Sequence, residues 1–195
     1  MNRVLLLFLA TVVLIGCGGP TESDPQEVET PATLVAGSQQ DAVLDSLNDI
    51  IRYEPNDLAA LEARAEEYLK RQNLKYAAAD VAAVLELDST RTKALELWGD
   101  ISFSTNQTRQ SRDAWTRCME EDPQNISCRL KMAELYHVVT EFEKSAKLTD
   151  RVLEIDPQNA EAHFLKGLLM RDAIGDTTRA LEWFQKAIDI DPEYI

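Results

Sequence analysis

From about Gln40 onward, apolar residues recur at helical spacing, and no run alternates in the way a half-buried strand would. The informative feature is how these helical stretches are interrupted. Pro55, Ser89, Pro123 and Pro157 stand 34 residues apart, and Pro192 follows after 35. Around them lie Glu54-Pro55-Asn56, Asp88-Ser89-Thr90, Asp122-Pro123-Gln124-Asn125, Asp156-Pro157-Gln158-Asn159 and Asp191-Pro192-Glu193. Each predicts a helix stop followed by a new start, because proline cannot continue a helix and Asn, Asp or Thr caps the next one. A sustained 34-residue period predicts an all-α solenoid of stacked helix pairs.

Within each period the residues resemble those of the tetratricopeptide-repeat (TPR) family. That family places a large residue, a small one where two helices nearly touch, and an aromatic in its first helix. Its second helix carries small, large and small residues in turn. Residues 58–91 offer Leu61, Ala65, Tyr68, Ala77 and Val81, and residues 92–125 offer Leu95, Trp98, Gly99, Ser111, Trp115 and Cys118. Residues 126–159 offer Met132, Ala133, Tyr136, Ser145 and Val152, and residues 160–195 offer Gly167, Met170, Ala180, Phe184 and Ala187. The resemblance implies a right-handed solenoid of about four repeats. The extra residue of the fourth is expected in its inter-helix turn, at Gly175-Asp176. Departures are Ser102 and Thr149 in place of aromatics, and Arg129 and His163 in place of large apolar residues. Residues 39–57 match only a second helix, with Val43, Leu47 and Ile50 in register, and fit either one extra N-terminal helix or a degenerate repeat whose first helix has melted into the tether. The array stops where another repeat would begin. Either the face around Trp183 and Phe184 meets a partner or a second copy, or the sequence is truncated.

By the same resemblance, the first helices line a concave groove. Its positions are Glu62, Glu66, Leu69 and Lys70; Lys93, Glu96, Asp100 and Phe103; Leu130, Lys131, Glu134 and His137; and Glu161, Phe164, Leu168 and Arg171. Such a surface is acidic with apolar islands, and the expected occupant is a basic or amphipathic protein segment. The alternative is a merely solvated acidic face. A C-terminal carboxylate would meet Glu62 and Glu66 where the carboxylate-binding subgroup has Lys and Asn, so that mode is not expected.

Ahead of the array, Val4 to Ile15 form an apolar run broken by Thr11 and preceded by Arg3. Its length suits a signal-peptide core and falls short of the ~20 residues needed to span a bilayer. The run ends in Leu14-Ile15-Gly16-Cys17, which resembles the bacterial lipobox. The resemblance implies removal of residues 1–16 and acylation of Cys17, and Gly18 after it favours the outer membrane, facing the periplasm. A cleaved signal of the ordinary kind and an uncleaved membrane anchor are the alternatives. Residues 17–38 contain Pro20, Pro25, Pro31 and four acidic residues, and are expected to form a disordered tether. A coil of that length spans roughly 25 Å.

Composition removes several functions. The chain of 195 residues has a net charge of −14 and no Lys/Arg cluster, which argues against nucleic acid as a partner. His137 and His163 are the only histidines, with no carboxylate or cysteine pattern around them for catalysis or a metal. No phosphate loop, nucleophile elbow or zinc-protease motif is present, so neither enzyme activity nor a cofactor is expected. Cys118 and Cys128 flank the Asp122-Pro123 turn on helices expected to pack antiparallel. Two arrangements stay open, a disulfide or a pair of small buried thiols, the second slightly preferred. The expected function is a lipid-anchored interaction scaffold of the bacterial envelope. An accessory subunit of an envelope enzyme and a self-associating structural lipoprotein are the alternatives.

Overall fold

A computed structural model describes residues 31–193, with side chains from Ala42 onward. The signal segment, Cys17 and most of the tether lie outside the described residues. The chain divides into two units, 1–38 and 39–195. Of the first, residues 31–38 are described, and they are helical.

The second unit holds the array. Helix α1 spans Pro31–Tyr53, and the repeats follow as α2 (Leu58–Lys70) with α3 (Leu74–Leu87), α4 (Thr92–Ser104) with α5 (Thr108–Glu121), α6 (Ile126–Val138) with α7 (Phe142–Ile155), and α8 (Ala160–Leu169) with α9 (Thr177–Ile190). Each pair packs on itself and its second helix on the next repeat, so the core is continuous along the stack.

The helix boundaries have local causes. Asp57, Asn125 and Asn159 accept hydrogen bonds from the backbone N–H three residues on, at 3.0, 2.9 and 2.9 Å. In the turns before α4, α6 and α8, Asp88, Asp122 and Asp156 accept from the N–H two residues on, each at 3.0 Å, folding the turn. The second repeat departs from the expected capping. Thr90 does not cap α4: its hydroxyl donates to Asp88 at 2.7 Å, and the cap position belongs to Arg91, whose side chain has no acceptor to offer. Inside the first three repeats, the residue joining the two helices is left-handed: Gln72, Asn106 and Thr140, with φ of 57°, 59° and 61°.

Several expectations are corrected here. Helix α1 begins at Pro31, so residues 31–38 of the expected disordered tether are helical; proline at a first helical position costs no hydrogen bond. Val43 and Ile50 face solvent, while Leu44, Leu47, Asn48 and Ile51 are half-buried. Ile51 packs on the first-repeat core, and Asn48 accepts from Arg64 at 2.8 Å. The extra residue of the fourth repeat sits in a π-helical turn, Met170–Ile174, ahead of the expected Gly175-Asp176. A π turn takes up one residue without unwinding the helix, and Gly175, at φ 75°, makes the left-handed step after it.

Cys118 and Cys128 form a disulfide between α5 and α6, with Cα atoms 6.4 Å apart and both side chains fully buried. The slight preference for free thiols is thereby overturned. The Asp122 turn, which brings the start of α6 back beside the end of α5, places the two sulfurs together.

Candidate partner-binding groove

Consecutive first helices touch directly, α2 with α4 and α6 with α8, which puts them on the inner side of the stack. Between α2, α4 and α6 lies a cavity of about 250 Å³. Leu69, Phe103, Trp115 and Leu135 supply its apolar wall, and Asp100, Lys131 and Glu134 its polar one. Phe103 is 44% exposed and tilts against Trp115, with ring centroids 5.8 Å apart. Trp115 is fixed in turn by its indole N–H, which donates to the Glu96 carbonyl at 3.3 Å.

Most groove acids are engaged by the following repeat. Arg91 holds Glu62 at 2.9 and 3.2 Å, and Lys93 reaches Glu66 at 3.3 Å. Ser127 donates to Glu96 at 2.7 Å, and Lys131 pairs with Asp100 at 3.0 Å. His137 meets Asp172 at 3.0 Å. These bonds link neighbouring repeats, so the inner face is less acidic than the count of its carboxylates.

The charges that remain are shaped by their surroundings. Burial pushes the Asp100 carboxyl above the usual carboxylate range, against the pull of Lys131. Burial works to lower the Lys131 pKa, yet Asp100, Glu96 and Glu134 outweigh it and hold it above its ordinary value. Burial also raises Glu161. Glu134 is exposed over its side chain as a whole, but the groove walls shield its carboxyl enough to raise it, and the charge of Glu161 acts in the same direction.

Of the expected groove residues, Leu69, Asp100, Phe103, Lys131 and Glu134 line the cavity. Glu66, Lys93, Glu96 and His137 are held in the links between repeats. Two placements are corrected. Leu130 is 3% exposed and packs in the core with Val152 and Ala162, because its side of α6 turns toward α7 and α8. Glu62 is 7% exposed, closed over by Arg91. Glu161, Phe164 and Leu168 are half-buried farther along, with Phe164 against Phe184 at 5.2 Å. Trp115, Leu135 and Arg91 were missed. For the cations a loose signal existed: Arg91, Lys93 and Lys131 follow their acids by 29, 27 and 31 residues, less than one period by about one to two helical turns.

The sequence matches no family model and no curated protein. Solved structures do resemble it. The crystal structure of MamA superposes with a TM-score of 0.65 at 18% identity, covering 84% of this chain and 96% of that one. TTC0263, a thermophilic TPR protein in Thermus thermophilus, gives 0.69 at 16% identity, covering 84% and 89%. YrrB, described as a TPR protein with an unusual peptide-binding site, gives 0.60 at 17% identity, covering 84% of each chain. At such identities the likeness is one of fold: this chain has the TPR fold.

Proposed function

We propose that the array is a protein-binding module which holds a segment of a partner along its inner face. The observation that carries this reading is the half-apolar cavity between α2, α4 and α6, with Phe103 open to solvent in its wall. Large exposed aromatics beside fixed charges are what an interface anchor needs. The TPR fold of the peptide-binding YrrB supports the reading by analogy. The chain acts as a scaffold without chemistry of its own, and is carried on the bacterial envelope by acylated Cys17, on the strength of Leu14-Ile15-Gly16-Cys17.

The test is capture of partners by the full-length protein from cross-linked envelopes, beside Phe103→Asp. That substitution spoils the cavity wall and touches none of the links between repeats. A partner held by the wild type and lost from a folded Phe103→Asp variant is the expected result. A partner held equally by both would move the site off this face. Metabolic labelling with radioactive palmitate is expected to mark the wild type and not Cys17→Ala.

A further inference from the structure

Equivalent positions of the repeats carry opposite charge in one place. Between the first and second repeats, Glu66 of α2 faces Lys93 of α4, bonded at 3.3 Å. Two repeats along, the residues in the same register are Glu134 of α6 and Glu161 of α8. The acid has stayed, and its cation has become a second acid. The charge of Lys131 reaches both, but its ammonium is bonded to Asp100 at 3.0 Å. Glu96, Asp100, Glu134 and Glu161 thus gather around one lysine. A like-charged pair across two packed helices costs stability in the free protein. Glu134 is also part of the cavity wall, within the same enclosure as Phe103 and Leu135. An apolar recess and an unfilled cation position are therefore contiguous.

The geometry points to a partner segment that supplies the missing cation: a Lys or Arg seated between Glu134 and Glu161, next to a large apolar side chain in the Phe103 recess. This rests on the groove reading above and adds where its charge is read. The guanidinium or ammonium does for the third and fourth repeats what Lys93 does for the first and second. The segment thereby closes the junction between α6 and α8 as well as occupying it. Charged pairing of this kind gives specificity, while the apolar recess supplies contact area.

The probes are immobilised short peptide libraries with a fixed leucine near a fixed Lys, Arg, Gln or Glu, presented to the full-length protein in detergent. Wild type is expected to retain the Lys and Arg libraries about ten-fold better than the Gln library. Glu161→Lys, which rebuilds the Glu66–Lys93 arrangement, should cut that excess to within about two-fold while still holding the Gln library through its apolar side chains. It should also melt at a higher temperature than wild type, since an ion pair replaces a repulsion. Equal retention of basic and Gln libraries by wild type would overturn the inference and leave the groove reading standing. So would a basic preference that survives Glu161→Lys, or a lowered melting temperature. Retention of no library by wild type would overturn both readings.

Discussion

Gly99 and Gly167 occupy points where two helices of a repeat approach so closely that a Cβ would land well inside contact distance of the Trp115 indole and the Phe184 ring. In the other two repeats the equivalent pairs are Ala65 with Val81 and Ala133 with Thr149, all fully buried. Glycine therefore goes with a large aromatic partner and alanine with a smaller one, so the residue at the close approach shrinks where its partner grows. Thr149, which breaks the aromatic pattern of the family, is the counterpart of Ala133; its hydroxyl donates to the Ser145 carbonyl at 2.8 Å and is not left unpaired. Gly167→Ala is expected to cost about 2 kcal/mol by overpacking, and Phe184→Val about 2 kcal/mol by lost contact. Combined, they reproduce the Ala65–Val81 pair and should cost at least about 1 kcal/mol less than the sum. Urea unfolding of the four proteins measures the coupling; strict additivity would show that the two side chains do not share the gap.

At the scale of the element, the turns between repeats hold more than their proline punctuation discloses. Arg129 and His163, one period apart, both donate to the carbonyl of the proline six residues earlier, Arg129 to Pro123 at 2.8 Å and His163 to Pro157 at 3.0 Å. Arg129 adds a bond to the Asn125 carbonyl at 3.0 Å, and His163 stacks on Trp183 with centroids 5.4 Å apart. What reads in the sequence as two misplaced polar residues is a brace for the turn. The 34-residue period and the caps were legible because proline and Asx residues act on their own backbone. The braces were not, since a side chain reaching back to a turn carbonyl leaves no pattern. The links from Glu62, Glu66 and Asp100 left only a loose spacing of 27 to 31 residues, because which side chains meet depends on how one repeat is set on the next. The disulfide adds a covalent clasp to the braced turn of Pro123. Closing so short a loop restricts the unfolded chain, and the Cys118→Ala/Cys128→Ala variant is expected to lose about 2–3 kcal/mol against the oxidised wild type. Chemical denaturation with and without reductant reads that difference. Full alkylation of both thiols in the unreduced, intact protein would rule the bridge out.

Across the whole molecule, stability is close to a sum over repeats and their junctions, so one weak junction lowers the cooperativity of the array. With a net charge of −14 the chain already repels itself at neutral pH, and the α6–α8 junction adds Glu134 and Glu161, both held above the usual carboxylate range. For an acid raised in this way the folded state keeps its proton to higher pH than the unfolded chain does. Stability is then greatest below the unfolded value, about 4.3 for glutamate, and falls as pH rises through the folded value. The usual paired carboxylate behaves oppositely, which makes the sign diagnostic. Glu161→Gln removes one of the two charges while keeping the shape of the side chain. At pH 7 the variant should be the more stable by about 0.5 kcal/mol, the scale of one solvent-screened charge contact. Below about pH 4, where both carboxylates of the wild type are largely protonated, the gap should close. Urea midpoints of wild type and variant at pH 7, 5.5 and 4 give the comparison. A variant less stable than wild type at pH 7 would mean that ionised Glu161 is already satisfied by a cation of its own chain, and that the junction has no vacancy for a partner to fill.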